Sequence, residues 1–278
     1  MYTVDTLYLR LLNQMITKLE FSNKAVRQDR TNTGTVSVFG PQIAFDVSKH
    51  FPILSSKTIF WRGVYEELLW FLRGKTNSKE LEDKKINIWK EWGDENREHG
   101  PIYGAMWRRF PNNTDMPPTD QIVEAEKLIK EQPNSRRIIV SGWHPGLVPL
   151  QSLPPCHTLF QFYVDDGTLS LKLYMRSCDI FLGLPFNIAS YALLLYIMAK
   201  RTGLSPYNLI ITFGDLHLYI NHHKQALEQI GHMNKIFSNP TLTVHDSILT
   251  KSWEDISSDD FTLQDYFPLG KISAPVAV

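Results

Sequence analysis

Cysteine is scarce: Cys156 and Cys178 are the only two in 278 residues, and neither belongs to a Cys-x-x-Cys or Cys/His ligand spacing. That argues against a disulfide framework and a structural zinc, and it makes a reduced, intracellular setting the expectation. Net charge is lacking too, since 29 Lys and Arg balance 29 Asp and Glu. No global field draws such a chain to nucleic acid or to an acidic membrane surface, so an anion site has to be a local cluster of arginines. The apolar run from Ala189 to Ala199 is too short to span a bilayer, and the stretch from Met1 to Glu20 mixes charge with apolar residues and lacks a signal-peptide core. The cytoplasm is the expected location, or the host cytoplasm if the source is viral. Internal repeats, G-x-G-x-x-G and the P-loop are absent as well, which removes the most readable nucleotide signals.

What the chain does have is apolar bulk, 43% hydrophobic and 12% aromatic, enough for one large core or two modest ones. Tyr8, Leu11, Leu12, Met15, Ile16 and Leu19 recur near a 3.6 period, predicting a helix over Thr6 to Leu19. Asp29 to Thr35 is a polar turn that offers Arg30, hydroxyls and backbone amides to an anion, or simply leads into a strand at Val36 to Phe39. Phe51 to Leu54 is read as the end of a second strand. Trp61 to Leu72 is a dense apolar helix carrying Glu66 and Glu67. Neighbours on a helix point about 100° apart, so one glutamate can face inward with a raised pKa or lie salt-bridged at the core's edge. Gly100 to Trp107 suits a tight loop presenting Tyr103, while Trp89 and Trp92 either stack on a flat ligand or pack in the core.

Farther on, Ile122 to Ile129 is helical, and Arg136 and Arg137 precede the strand Ile138 to Val140. They form either a solvated edge or an anion clamp serving a neighbouring subunit. Leu153-Pro154-Pro155-Cys156-His157 then presents a thiol behind two prolines that fix the backbone approaching it, although a lone Cys beside an apolar strand is on general grounds more often core. Thr168 to Tyr174 is a strand whose continuation delivers Arg176, Ser177 and Asp179. Asn187 stands just before the apolar helix Ile188 to Ala199, where capping is its ordinary role. Leu209 to Phe213 is a strand, beyond which His217 and Tyr219 alternate onto one face. The apolar end, Ala274 to Val278, suits a segment folding back as a lid. Strands and helices intersperse without a regular βαβ rhythm, so the expected fold is mixed α+β in a single domain, 1–278.

Pro154-Pro155-Cys156-His157, Gln161-Phe162-Tyr163-Val164, Arg176-Ser177-Cys178-Asp179, Gly183 to Leu193, Ser135-Arg136-Arg137-Ile138-Ile139 and Gly214 to Tyr219 together resemble the folate-dependent thymidylate synthase family, in the family's own order and over nearly the whole chain. The resemblance implies a large, mostly antiparallel sheet flanked by helices and packed across a homodimer interface. It implies that Cys156 attacks C6 of dUMP so that C5 captures the one-carbon unit of the co-substrate 5,10-methylenetetrahydrofolate, without a metal. Arg176 would favour the thiolate. Arg30, Arg176 and Ser177, with Arg136 and Arg137 from the partner, would bind the phosphate, and Gln161 and Asp179 complete the nucleotide set. Asn187 would read the base, and His217 and Tyr219 the deoxyribose. Glu67, Tyr103, His157 and Asp179 would serve the chemistry. Lys57, Trp89, Trp92, Asp179, Leu182, Gly183, Phe186 and Ala277 would form the folate side.

Some positions depart from the family pattern. Met106 and Met175 stand where glutamine is usual, and His144, Phe213, Asn32 and Lys90 also differ. Apolar residues at the two glutamine positions resemble the pyrimidine hydroxymethylase branch, whereas Trp89 and the terminal Ala-Pro-Val-Ala-Val resemble a synthase. Three outcomes are thus on the table: methylation of dUMP, its hydroxymethylation, or an idle homologue that only binds.

Overall fold

Alternating apolar residues in the middle of the chain build the sheet on which the other elements pack. The structure is a computed structural model that describes residues 3–21, 26–28, 31–112 and 115–277. The helices are α1 (Val4–Phe21), α2 (Trp61–Leu72), α3 (Lys79–Asp83), α4 (Tyr103–Arg108), α5 (Gln121–Glu131), α6 (Gly183–Thr202) and α7 (His223–Ile230). The strands are β1 (Val26–Arg27), β2 (Thr35–Phe39), β3 (Gln42–Asp46), β4 (Ile139–Ser141), β5 (His157–Asp165), β6 (Thr168–Asp179), β7 (Ser205–Tyr219), β8 (Thr241–Val244) and β9 (Phe261–Gln264). The main sheet runs β1-β2-β7-β6-β5-β4, with β3 also on β7, and β8 and β9 form a small separate pair. In the main sheet β6 and β7 are parallel and the other pairs antiparallel, so the α+β, mostly antiparallel architecture expected from the sequence is what forms.

Helix α6 crosses between β6 and β7. It is apolar on nearly every side, and 14 of its residues are buried, as a helix enclosed by a sheet and other helices must be. Against it lie the inward side chains Phe160 and Phe162 of β5, Leu171 and Leu173 of β6, and Leu209 and Ile211 of β7, all at 0–1% exposure. The opposite face of the sheet is different. Ile139 is 44% and Tyr163 64% exposed, an apolar surface left open in the single chain.

One feature of the sheet decides where the functional residues point. Up to Met175 and Phe213 the buried residues of β6 and β7 fall at odd positions, but beyond them they are Cys178, Leu216 and Leu218. A period of two changes parity only where the backbone is irregular. The irregularities stack: β5 slips between His157 and Leu159, His157 lies opposite Met175, and Met175 lies opposite Phe213. On the far side, β2 and β3 follow one line along β7, interrupted at Gly40-Pro41, where Gly40 donates to the Gly214 carbonyl at 2.9 Å. The sheet therefore kinks across its width, and the kink opens at Cys156, Arg176 and Asp215.

Several local expectations are corrected. Phe51 to Leu54 is not a strand but buried irregular chain, fixed by Phe51 N–H on the Pro240 carbonyl and by Tyr266 Oη on the Leu54 carbonyl. Tyr103 opens a short buried helix instead of sitting in an exposed loop. α6 begins at Gly183 with Leu182 as its cap residue, so Asn187 lies inside the helix and caps nothing.

Gly214 is where the kink tolerates no side chain: a Cβ there would stand 2.7 Å from the Arg176 carbonyl oxygen and 3.1 Å from the Tyr174 hydroxyl. Gly214→Ala is expected to cost about 1–3 kcal/mol in urea unfolding, because backbone has to move to admit the methyl group. Its effect on turnover should exceed that of an equally destabilising core substitution far from the kink.

Candidate active site

The two prolines before Cys156 carry no N–H, yet their carbonyls need partners. Arg176 supplies them: Nη2 donates to the Pro154 carbonyl at 2.7 Å and Nε to the Pro155 carbonyl at 2.9 Å, and Nη2 reaches Cys156 Sγ at 3.8 Å. The Arg176 N–H also donates to the Cys156 carbonyl at 3.0 Å. From the other side the Cys156 N–H donates to Tyr103 Oη at 2.7 Å. The thiol is half-buried at the strand's start, held by groups from β6 and α4. Cys178, by contrast, is buried, and burial holds its thiol well above the usual range.

Behind Cys156 is an aromatic shell with charge-bearing groups inside it. Of the two glutamates of α2, Glu66 turns outward to Lys84 at 2.8 Å, while Glu67 is buried and accepts from Trp89 Nε1 at 2.7 Å. Burial raises the Glu67 carboxyl to about 7, only partly opposed by the Trp89 bond. His157 is buried under the Tyr103 ring at 4.8 Å, and desolvation lowers its imidazole to about 3, so it is neutral at any physiological pH. Its Nε2 pairs with Asn187 Nδ2 at 2.8 Å. Glu67, Trp89, Tyr103, Cys156, His157, Arg176 and Asn187, distant in sequence, are thus brought together.

The rim carries the remaining groups. His217 and Tyr219 pack edge to face, with ring centroids 5.2 Å apart, on the face expected for them. Asp179 lies opposite His217 in the ladder and accepts the Phe181 N–H at 2.8 Å, which shapes the start of α6. Leu182, Gly183 and Phe186 present partly open surface on the first turn of that helix, and Ser177 is half-buried beside Asp215. Trp92 packs on Trp89 at 6.2 Å. The tail folds back as expected: Leu269 N–H donates to Ser55, Thr58 N–H to Gly270, and His222 Nε2 to the Pro275 carbonyl at 2.7 Å, two residues before Ala277.

Not every candidate joins. Lys57 is placed on the folate side by the family resemblance, but its side chain turns inward, its ammonium 3.5 Å from the Phe181 ring centroid and donating to the Phe181 carbonyl, with burial lowering it to about 7. Arg136 and Arg137 are exposed, and Gln161 points to the open face of the sheet, where Nε2 donates to the Arg136 carbonyl at 3.1 Å. In one chain these three belong to that face and not to the Cys156 cleft. Arg30 and Val278 lie outside the described residues. Among the described residues no group of His, Cys, Asp or Glu suits a metal ion.

Sequence reasoning missed Asp215, which reaches His217 Nδ1 at 3.3 Å and Arg27 at 3.3 Å, and His222, which holds the tail. It also missed Tyr191, whose ring stands 5.3 Å from His157. The spacing of Asp215 two residues before His217 on a strand was the available signal; Tyr191 sits in a stretch that reads as an ordinary apolar helix, and His222 in one that carries no local signal. The raised carboxyl of Glu67 gives a test with a definite sign. Folding favours its protonated form, so that contribution is complete below about 4.5 and is lost as pH rises through about 7. Glu67→Gln should match the wild type in urea unfolding near pH 4.5 and exceed it near pH 8, by up to about 3 kcal/mol.

A positioned thiol beside an arginine, a buried carboxyl and a neutral histidine paired to an amide form a site able to add a nucleophile to a polar ring and move protons around it. The thymidylate synthase family profile matches residues 6–278, nearly the whole chain. The chain belongs to the thymidylate synthase family, enzymes of folate-dependent one-carbon transfer to dUMP.

Proposed function

We propose that this enzyme methylates dUMP reductively to dTMP, releasing dihydrofolate. The observation that carries the reading is Arg176 holding both proline carbonyls while its guanidinium faces Cys156 Sγ at 3.8 Å. A fixed positive charge so placed favours the thiolate over the thiol. The thiolate adds to C6 of the uracil ring, and the negative charge that develops spreads to C5 and O4. Tyr103, whose oxygen accepts the Cys156 N–H, has its own O–H to donate, and Glu67 near neutrality can pass a proton either way. Asn187, with one donor and one acceptor, suits the N3–H and O4 edge of uracil, and His217 and Tyr219 the deoxyribose hydroxyl. Bound 5,10-methylenetetrahydrofolate supplies the carbon and, for methylation, the hydride that reduces it.

The residues at the cleft fit the folate. Leu182, Gly183 and Phe186 leave a partly open surface at the helix start beside Asp179, the Trp89 and Trp92 pair lies behind Glu67, and the tail ending near Ala277 is tied to the same wall through His222. A tail in that position excludes water from the carbon being transferred. The second reading, hydroxymethylation, is favoured by one observation: Met175 and Met106 are 1% and 2% exposed, so two buried methionines stand where the family pattern has amides. Product analysis with dUMP and methylenetetrahydrofolate separates the two. dTMP with dihydrofolate is expected; 5-hydroxymethyl-dUMP with tetrahydrofolate would replace the first reading by the second, and no product from either would remove both.

We further propose a homodimer formed through the open sheet face, with the exposed Arg136 and Arg137 completing the phosphate site of the partner. Two guanidiniums suit a phosphate dianion, and their place beside the apolar patch of Ile139 and Tyr163 supports the arrangement. Cys156→Ser and Arg137→Ala should each abolish or sharply lower turnover alone. When the two variants are unfolded together and refolded at equal amounts, about a quarter of wild-type activity should return, since half the dimers are mixed and each has one intact site. Recovery no greater than the sum of the separate variants would show that the arginine serves its own chain.

A further inference from the structure

Three buried polar atoms of the aromatic shell have no partner among the described residues: His157 Nδ1, the Tyr191 hydroxyl and Trp107 Nε1. They sit close together. The Tyr191 ring stands edge on to His157 at 5.3 Å and to Trp107 at 6.2 Å, and burial first, then Tyr103 and Glu67, hold its hydroxyl well above the usual range. Buried polar groups in folded proteins are nearly always satisfied, directly or through internal water, so these three share a network. Each member's capacity sets its direction. Trp107 can only donate, and Glu67, with Oε1 taken by Trp89, keeps Oε2 as the strongest acceptor in the cluster. A Tyr191 hydroxyl that gives its proton toward Glu67 has lone pairs left to accept from His157 Nδ1, directly or through an internal water.

The consequence reaches the base pocket. His157 is neutral and carries one proton on one of two nitrogens. With the proton on Nδ1, Nε2 is an acceptor, and it holds the Nδ2 end of the Asn187 amide, as found at 2.8 Å. With the proton on Nε2, the imidazole would instead hold the Oδ1 end, and the amide would turn over. The two orientations present donor and acceptor in opposite order, and uracil and cytosine differ in that order along N3 and the group on C4.

We propose that Tyr191 is a positioning residue that keeps the His157 proton on Nδ1, and that it thereby fixes the Asn187 amide in the orientation that selects uracil over cytosine. The inference rests on the reading of Asn187 as the base-contacting residue of a dUMP enzyme. Tyr191→Phe removes one oxygen and keeps the ring. In the full-length enzyme it should reduce the preference for dUMP over dCMP, measured as the ratio of dissociation constants by calorimetry, by about tenfold. A loss of packing alone would weaken both nucleotides and leave the ratio unchanged. The wild type provides a second measurement that needs no core variant: two-bond proton–nitrogen correlation spectra of nitrogen-15 histidine-labelled protein, with the His157 signals identified by their loss in His157→Gln. The Nδ1–H pattern is expected, shifting toward Nε2–H in Tyr191→Phe. An Nε2–H pattern in the wild type, or an unchanged nucleotide ratio in a folded Tyr191→Phe, would overturn the inference and leave the dUMP reading standing. A wild type that binds neither nucleotide would overturn both.

Discussion

The grip of one guanidinium on two proline carbonyls is the constraint on which the site depends. Pro154 and Pro155 offer no N–H, so the segment before Cys156 has no ladder of its own to join, and Arg176 takes its place with bonds of 2.7 and 2.9 Å. That arrangement exists only because β6 leaves its regular alternation just at Arg176, turning a side chain that would otherwise stand on the open face toward the thiol. The irregularity in turn needs room, which Gly214 on the neighbouring strand provides by having no Cβ. A missing side chain on β7, an irregular step on β6 and a rigid loop before β5 thus act as one device.

Burial does the rest of the work, and it acts in opposite directions on different groups. Charge is disfavoured in the shell, so Glu67 is held near neutrality while His157 is kept uncharged well below it, and Lys57 is brought down to about 7 by the same cause. The result is a cleft in which the fixed positive charge faces the sulfur and the movable proton is on a carboxyl. The histidine is left packed against the Tyr103 and Tyr191 rings with its Nε2 on the Asn187 amide. A histidine next to a nucleophilic cysteine would elsewhere read as its general base; here desolvation and the Asn187 bond at 2.8 Å give it a different task.

Much of this was legible in the sequence, and the legible parts share a cause: they are local. The two prolines announce a rigid approach to Cys156, the adjacent Glu66 and Glu67 have to diverge on a helix, and His217 and Tyr219 have to share a strand face. What could not be read is what depends on distance. Phe51 to Leu54 looks like a strand from its apolar residues, yet its hydrogen bonds go to Pro240 and Tyr266, far along the chain. Asn187 looks like a cap because Gly-Leu-Pro looks like a break, but proline is compatible with the first turn of a helix, and α6 simply starts earlier. Lys57 is assigned to the folate side by resemblance alone, and the packing around Phe181, which no local pattern shows, turns it inward. Arg136 and Arg137 are a pair in sequence and an exposed surface in one chain, and the phosphate role proposed for them needs a second copy.

Under the proposed function the fate of the transferred carbon turns on water, and two features bear on it in opposite senses. Met106 and Met175 put buried thioethers where the family pattern has glutamines, the feature on which the hydroxymethylation reading rests. Against solvent from outside stands the tail. Its bonds at Leu269, Gly270 and Pro275 run along the segment that carries Lys57 and reach His222, which packs on Phe181 at 5.5 Å. Phe181 is also the residue whose carbonyl takes the Lys57 ammonium and whose N–H binds Asp179. The tail and the start of α6 therefore converge on a single residue, so a displacement of Phe181 would be felt by both. The proposed methylation therefore rests on the tail keeping water out and the alternative hydroxymethylation on the two methionines, so the two readings divide between different parts of the fold.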